Sequence, residues 1–303
     1  MARVFIALIL LLCCLPALAA PRVVVSIKPL HSLAAGVMAG IAEPRLLIDG
    51  AASPHTYALR PREAQALHDA DLVVRVGPAL ERFLDKPLAT LANRAAVLDL
   101  AHVPGMTLAE SGEHDGGALG DSEHLHHGSI DPHIWLDADN AALISQALAD
   151  RLAHLDPVHA ERYRANAREQ QADIAALDAR LQRRLEPLRH RPFVVFHDGY
   201  GYFTRRYGLH MVGAITLSPE RVPGTRQVAE IRRQIVDRNV VCVFSEPQFR
   251  PALIDTLVRA TQARVATLDP LGADLPAAPQ GWFQLLDGLA ASMHACLGAQ
   301  PSP

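Results

Sequence analysis

The chain has 303 residues, half of them hydrophobic, and a formal net charge of -3 at pH 7 with histidine neutral. This near balance of charge argues against nucleic acid and against an anionic membrane surface as partners, because both attract strongly basic proteins. The length exceeds the roughly 100 to 200 residues of one typical domain and leaves room for two lobes with separate cores.

The first 19 residues have the pattern of a cleaved signal peptide. Arg3 precedes an apolar run that closes with the small residues of Ala17-Leu18-Ala19. The run is shorter than the roughly 20 residues that a membrane-spanning helix needs. We therefore expect export to the periplasm, removal of residues 1–19, and no membrane insertion of the mature chain.

Short runs rich in β-branched residues alternate with helical stretches in both halves of the mature chain. The predicted strands are 22–27, 45–48 and 72–76 in the first half and 193–196, 211–215, 240–244 and 264–268 in the second. Strands that alternate with helices indicate parallel sheets covered on both faces. The predicted fold is therefore α/β, with one parallel sheet flanked by helices in each of two lobes.

Residues 95–150 contain no Lys or Arg but many acidic residues, which attract cations. Within them, the segment 111–129 is rich in glycine and includes His114, His124, His126 and His127. It lacks the hydrophobic periodicity that builds a core. We predict a flexible His- and acid-rich loop that adds modest accessory metal binding.

Residues 156–188 carry apolar side chains at helical spacing and predict one long helix. Its predicted end is at Glu186 and Pro187, because proline disfavours helix in the residue before it. Because a helix is stiffer than a loop, such a link limits how far two lobes swing. The predicted domains are an N-terminal lobe over 20–138, a linker region with the long helix over 139–190, and a C-terminal lobe over 191–303.

Two cysteines, Cys242 and Cys296, remain after loss of the signal peptide. The alternatives for such a pair are a disulfide and two buried free thiols. We predict the disulfide, since exported pairs usually oxidise.

Four residues from four separate loops are candidates for a metal site. His197 and Asp269 follow predicted strands, at the sheet edge where open α/β folds bind ligands. His55 and His133 lie in loops, each directly after a proline. From its position alone, each histidine can also be interpreted as a hydrogen-bonded loop residue without a metal. Glu246 also ends a strand, where it either accepts a hydrogen bond beside the site or contacts the other lobe, and we predict the first role.

Three imidazoles and a carboxylate suit a tetrahedral zinc site, with nitrogens at about 2.0 to 2.1 Å from the metal. Calcium, magnesium and manganese prefer oxygen donors, so Zn²⁺ is the expected metal ion. Copper stays an alternative, because it binds such donors at least as tightly.

Several runs of the sequence resemble, in the same order, those of one family: ASPHTYALRP, ADLVVRVGPALERF, DPHIWLD, FVVFHDGYGYF, VCVFSEPQFRP and TLDPLG. The mature chain is similar over nearly its whole length to the periplasmic zinc-binding receptors of ZnuABC-type importers, in cluster A-I (family 9) of the solute-binding proteins. This resemblance implies one Zn²⁺ clamped between two lobes that a long helix joins, with a His- and acid-rich loop near the entrance. It places the zinc ligands on His55, His133 and His197 and the disulfide on Cys242 and Cys296. It also implies zinc transport, with the membrane permease of the importer as partner, and we expect a monomer without enzyme activity.

The sequence departs from that family at the fourth ligand. Some members have a glutamate directly before the first ligand histidine, where this chain has Pro54. Asp269 matches a carboxylate that coordinates metal in manganese-binding relatives, which have a carboxylate where this chain has His197. We therefore expect zinc, with Asp269 or a water as the fourth ligand.

Two other classes of function fit parts of this pattern. Three histidines and an open position also occur in zinc hydrolases, but the sequence has no His-Glu-x-x-His helix and no Gly-x-Ser-x-Gly elbow. An adhesin on the same fold is the other alternative, and a cleaved signal without an anchor disfavours it. The zinc transport receptor is the function that we expect.

Overall fold

A computed structural model of the protein describes residues 20–111, 130–216, 224–247, 251–259 and 261–299. The predicted signal peptide and the loop histidines His114, His124, His126 and His127 lie outside the described residues. Among the helices of the described ranges, none combines the length and the apolar character that crossing a bilayer requires.

The first half of the chain forms a four-stranded parallel sheet. Its strands are β1 (Val23–Val25), β2 (Arg45–Leu46), β3 (Leu72–Arg75) and β4 (Ala96–Asp99), in the order β2-β1-β3-β4. Every residue of β1 and β3 is buried, as expected for inner strands that are covered on both faces. The predicted sheet is confirmed, with β4 as an additional edge strand.

The second half forms a second four-stranded parallel sheet. Its strands are β5 (Phe193–His197), β6 (Met211–Thr216), β7 (Cys242–Ser245) and β8 (Arg264–Thr267), in the order β6-β5-β7-β8. His197 ends β5, Glu246 directly follows β7, and Asp269 follows β8 by two residues. Because the strands are parallel, all three residues lie toward the carboxyl edge of this sheet.

Helices cover both sheets. Those in the described residues are α1 (Lys28–Val37), α2 (Pro61–His68), α3 (Asp85–Thr90), α4 (Ala138–Leu155), α5 (Ala160–Leu185), α6 (Gly201–Tyr207), α7 (Thr225–Asp237), α8 (Pro251–Val258) and α9 (Gly281–Gly298). The predicted long helix is α5, with 26 residues, and it links the two lobes. It begins later than predicted because the 3-10 turn Pro157–His159 precedes it. It ends at Leu185, directly before Glu186 and Pro187, where the predicted end lies. The boundaries of the lobes at 138 and 191 stay a prediction.

The two lobes do not have separate cores. One continuous cluster of buried hydrophobic residues runs from β1 and α1 through α5 to α9, and a smaller cluster includes residues of the second sheet. Where the two lobes meet, the indole N–H of Trp135 donates to the Pro270 carbonyl at 2.8 Å. The indole N–H of Trp282 donates to the Trp135 carbonyl at 2.8 Å. Since separation of the lobes would expose this apolar surface, the structure opposes a wide hinge opening.

Cys242 in β7 and Cys296 in α9 form a disulfide, with their Cα atoms 6.2 Å apart. The predicted pairing is confirmed. The bond ties the second sheet to the C-terminal helix, and Arg264 of β8 adds a hydrogen bond from its Nε to the Cys296 carbonyl at 3.0 Å.

Candidate metal centre

Three histidines from both halves of the chain converge on one point. His55 lies between β2 and α2, His133 directly precedes the 3-10 turn Ile134–Leu136, and His197 ends β5. The three side chains offer ring nitrogens that all lie within 4.8 Å of one another. His133 and His197 are buried, and His55 is half-buried. Among the described residues, this is the one group of three or more His, Cys, Asp or Glu side chains compact enough to hold a metal ion.

His133 and His197 stand at nearly the spacing of two zinc ligands. Their Nε2 atoms are 3.1 Å apart, and their ring centroids are 5.0 Å apart. In a tetrahedral site with zinc–nitrogen bonds of about 2.0 to 2.1 Å, two ligand nitrogens are roughly 3.3 Å apart. The ring of His55 is further away, with its centroid 5.7 Å from that of His133 and 6.2 Å from that of His197.

A buried carboxylate contacts the far side of each of these two rings. Nδ1 of His133 lies 2.7 Å from Oδ1 of Asp131, and Nδ1 of His197 lies 2.5 Å from Oε1 of Glu246. An ionised carboxylate only accepts hydrogen bonds, so each ring donates its Nδ1–H and presents the lone pair of Nε2. Carboxylates in this position fix the tautomer and orientation of metal-binding imidazoles.

Two Nε2 lone pairs that face each other need a cation between them, either a proton or a metal ion. Burial acts to lower the pKa of His197, but the charge and hydrogen bond of Glu246 outweigh it and raise that pKa above its ordinary value. The third ring behaves differently, because burial, followed by the charges of His133 and His197, lowers the pKa of His55 to about 3. His55 is therefore neutral at physiological pH, which is the state in which imidazole binds metal.

The structure does not bring Asp269 into this group. Its Oδ1 accepts the backbone N–H groups of Leu271 and Gly272 at 3.0 and 2.9 Å, and its Oδ2 accepts that of Ala273 at 2.5 Å. Both carboxylate oxygens are thus engaged in the turn that follows β8. Coordination by Asp269 stays a prediction, and water is the alternative.

Residue 199 lies close to the two Nε2 atoms and is a glycine, so no side chain crowds them from this position. A Cβ atom on Gly199 would lie 2.4 Å from Nε2 of His197 and 2.9 Å from Nε2 of His133. Any residue other than glycine at this position would therefore collide with the two rings that face each other. The imidazole donors suit zinc and its transition-metal neighbours and do not suit calcium or magnesium.

Asp131 is the residue at this centre that the sequence analysis missed. It is 2 % exposed, and its Oδ1 also accepts the backbone N–H of His133 at 3.0 Å. Its position two residues before His133, in Asp-Pro-His, was the available signal. Glu246 was predicted as an acceptor beside the site, and its contact with His197 has the geometry that this role requires.

The sequence profile of the family described as "Zinc-uptake complex component A periplasmic" (ZnuA) matches residues 23–296. The chain belongs to the ZnuA family. It is similar to the high-affinity zinc uptake system protein ZnuA of Brucella abortus (strain 2308), with 40% identity over 306 residues and 91% of each chain covered. The protein of the same name from Yersinia pestis is 38% identical over 294 residues, with 92% of each chain covered.

Solved structures agree with the fold. A ZnuA deletion mutant with zinc bound has a TM-score of 0.77 at 27% identity, covering 93% of this chain and 100% of its own. The laminin-binding protein Lmb of Streptococcus agalactiae, described as bifunctional with adhesin and metal transporting activity, has a TM-score of 0.77 at 25% identity, covering 91% and 99%. The predicted α/β class, with two lobes joined by a long helix, is confirmed.

Proposed function

We propose that the chain is a periplasmic receptor that binds Zn²⁺ tightly through His55, His133 and His197 and delivers it to the membrane permease of an ABC-type zinc importer. The observation that carries the proposal is the convergence of three imidazole nitrogens, two of them on rings held by buried carboxylates. Membership of the ZnuA family and the similarity to zinc uptake proteins support zinc as the cargo.

Capture replaces water molecules of hydrated Zn²⁺ by imidazole nitrogens. His133 and His197 offer Nε2 lone pairs at nearly the required spacing, so little rearrangement precedes binding of the first two ligands. His55 supplies the third nitrogen, and a water or Asp269 completes the tetrahedron. The protein holds and releases the ion without breaking a substrate bond, so we propose a receptor and not an enzyme.

Delivery requires that the permease distinguish the loaded from the empty receptor. Because the lobes share one core, we expect the two states to differ in the order of loops and in small movements of the lobes. Of the three histidine side chains, that of His55 is the most exposed, and it lies in the loop between β2 and α2. We propose that a monomer presents these loops to the permease.

Growth on scarce zinc tests the proposed function. A bacterial host that lacks its own zinc receptor and retains the permease is supplied with this chain or with a variant that has all three histidines replaced by alanine. We expect the wild-type chain to restore zinc-limited growth and the variant to fail. Restoration by both chains would contradict the proposal.

Glu246→Gln should weaken zinc binding, because it removes the charge that orients the His197 ring while keeping the size of the side chain. Loss of such partners typically costs about 10- to 100-fold in metal affinity. The matched control is Asp156→Asn, since Asp156 is also buried and accepts from His159 Nδ1 at 2.7 Å outside the site. Chelator competition on both variants is the measurement, and equal losses would contradict a role specific to the site.

Asp269→Asn should weaken zinc binding less than loss of any of the three histidines, because water can take the fourth position. The variant keeps one oxygen for the N–H groups of Leu271 and Gly272 but loses the acceptor for the N–H of Ala273, so circular dichroism is the check on the fold. Calorimetric titration with zinc measures the difference. A loss as large as that of His55→Ala would instead make Asp269 a full ligand.

Deletion of residues 112–128 should leave one tight zinc site, because His133 lies beyond the deletion. Glu110 and Ile130 form an antiparallel bridge, so the two residues left between them can close a hairpin turn. The deleted segment is acidic and attracts cations, so the deletion variant should associate with zinc more slowly at low ionic strength. It should also bind fewer ions in excess zinc. Stopped-flow mixing and metal analysis check both. Loss of the tight site with retained circular dichroism would make a histidine of the deleted segment a primary ligand.

A further inference from the structure

Helix α6 begins four residues after His197 and carries two side chains that reach the segment around His133. They are Tyr202 and Arg206, four residues apart and therefore on one face of the helix. Tyr202 bonds upstream of His133, and Arg206 bonds downstream of it. One short helix thus joins the segments that carry two of the proposed ligands, one from each half of the chain.

Tyr202 holds the upstream side. Its ring is buried, at 2 % exposure, and its hydroxyl donates to the carbonyl of Asp131 at 2.9 Å. The same hydroxyl accepts the backbone N–H of Ala109 at 3.0 Å. Asp131 in turn accepts from Nδ1 of His133. The tyrosine therefore fixes the backbone of the residue that orients the ligand ring.

Arg206 holds the downstream side. Its guanidinium lies 3.4 Å from Asp137 and forms a two-bond pair with Asp139, at 2.8 and 3.0 Å. Asp137 is also the N-cap of α4, where Oδ1 accepts the N–H groups of Asp139 and Asn140. A second two-bond pair, to Asp178 of α5 at 2.6 and 2.8 Å, anchors the arginine to the linking helix. Paired hydrogen bonds of this kind fix direction as well as distance.

The spacing of the two ligand rings needs such support. The rings of His133 and His197 come from different halves of the chain, and their Nε2 atoms stay 3.1 Å apart only while the segments that carry them are held in place. We propose that Tyr202 and Arg206 are positioning residues that set the separation of His133 and His197 before zinc arrives. This inference rests on the proposed function, because it takes both histidines as zinc ligands.

Tyr202→Phe tests the inference by deleting one oxygen. The matched control is Tyr163→Phe, because Tyr163 is also buried and its hydroxyl donates to Asp156 at 2.9 Å, away from the three histidines. We expect Tyr202→Phe to weaken zinc binding toward the lower end of the range of about 10- to 100-fold typical of outer partners of metal ligands. Tyr163→Phe should leave the zinc dissociation constant unchanged. The visible spectrum of bound Co²⁺, which reports ligand geometry, should change in the first variant and not in the second.

Arg206→Gln is the second variant, with Arg75→Gln as its control. Arg75 of β3 pairs with Asp85 of α3 and Asp99 of β4, so its loss tests the general cost of breaking a two-carboxylate arginine cluster. We expect weaker zinc binding and an altered Co²⁺ spectrum from the Arg206 variant alone.

The result separates this inference from the function on which it rests. If His133→Ala abolishes tight binding while the Tyr202 and Arg206 variants match their controls in affinity and spectrum, the positioning role is overturned and the receptor function stands. If His133→Ala retains wild-type affinity, the ligand set itself is wrong, and both proposals fail.

Discussion

His197→Ala should lower zinc affinity by more than the roughly 100-fold that marks the upper end for outer partners of ligands, because it removes a proposed ligand atom itself. His190→Ala should leave the affinity unchanged. His190 is exposed and lies seven residues earlier, in the turn before β5. The two substitutions thus change the same residue type in the same part of the chain, and one of them lies in the site.

Chelator competition gives both dissociation constants, and circular dichroism with thermal unfolding checks the fold. That check matters because His197→Ala leaves the buried Glu246 carboxylate without its imidazole donor, and an unpaired buried charge destabilises a protein. The double variant His197→Ala/Glu246→Gln removes that charge. If either folded variant kept wild-type affinity, His197 would not be a zinc ligand.

Chain geometry predicts the position of only one of the three histidines. His197 ends a buried run of hydrophobic residues, which places it at the carboxyl edge of a parallel sheet. His55 and His133 gained their assignment from the resemblance of the surrounding runs to the receptor family. The structure brings the three donors together, and their role as ligands remains the proposal that the mutants test.

Asp269 shows where position along the chain stops being informative. It does follow a strand of the same sheet, as predicted, but the direction of its carboxylate depends on the backbone that comes next. The N–H groups of residues 271–273 point at its oxygens and satisfy them. A sequence shows which residue lies at a strand end, whereas the hydrogen bonds of the following turn decide whether its side chain faces the ligand.

Two features of the fold were not predicted from the sequence. Strand β4, Ala96–Asp99, is an edge strand whose residues are mostly half-buried, so it lacks the continuous apolar run of the inner strands. The shared core was not predicted, because length and composition determine only how much surface a chain buries. Where that surface is buried depends on the packing of α1, α5 and α9. The indole hydrogen bonds of Trp135 and Trp282 belong to that packing.

The double variant Cys242→Ala/Cys296→Ala should unfold at clearly lower urea concentration than the wild-type protein. The two cysteines are 54 residues apart, and the chain-entropy estimate for a loop of that length is about 4 kcal/mol, although measured stabilisations scatter from about 0 to 5. Zinc affinity should change little in the folded variant, because neither cysteine contacts the three histidines. The bond therefore acts on the unfolded chain more than on the site.

Wild-type protein under reducing conditions is the control that separates the cross-link from the lost side-chain atoms. Both sulfur atoms are buried, so alanine at these positions also removes packing, whereas reduction removes only the bond. If the chain entropy dominates, the reduced protein and the double variant lose similar free energies of unfolding. A reduced protein as stable as the oxidised one would show that the bond contributes nothing, and free thiols in the denatured, unreduced protein would show that it does not form.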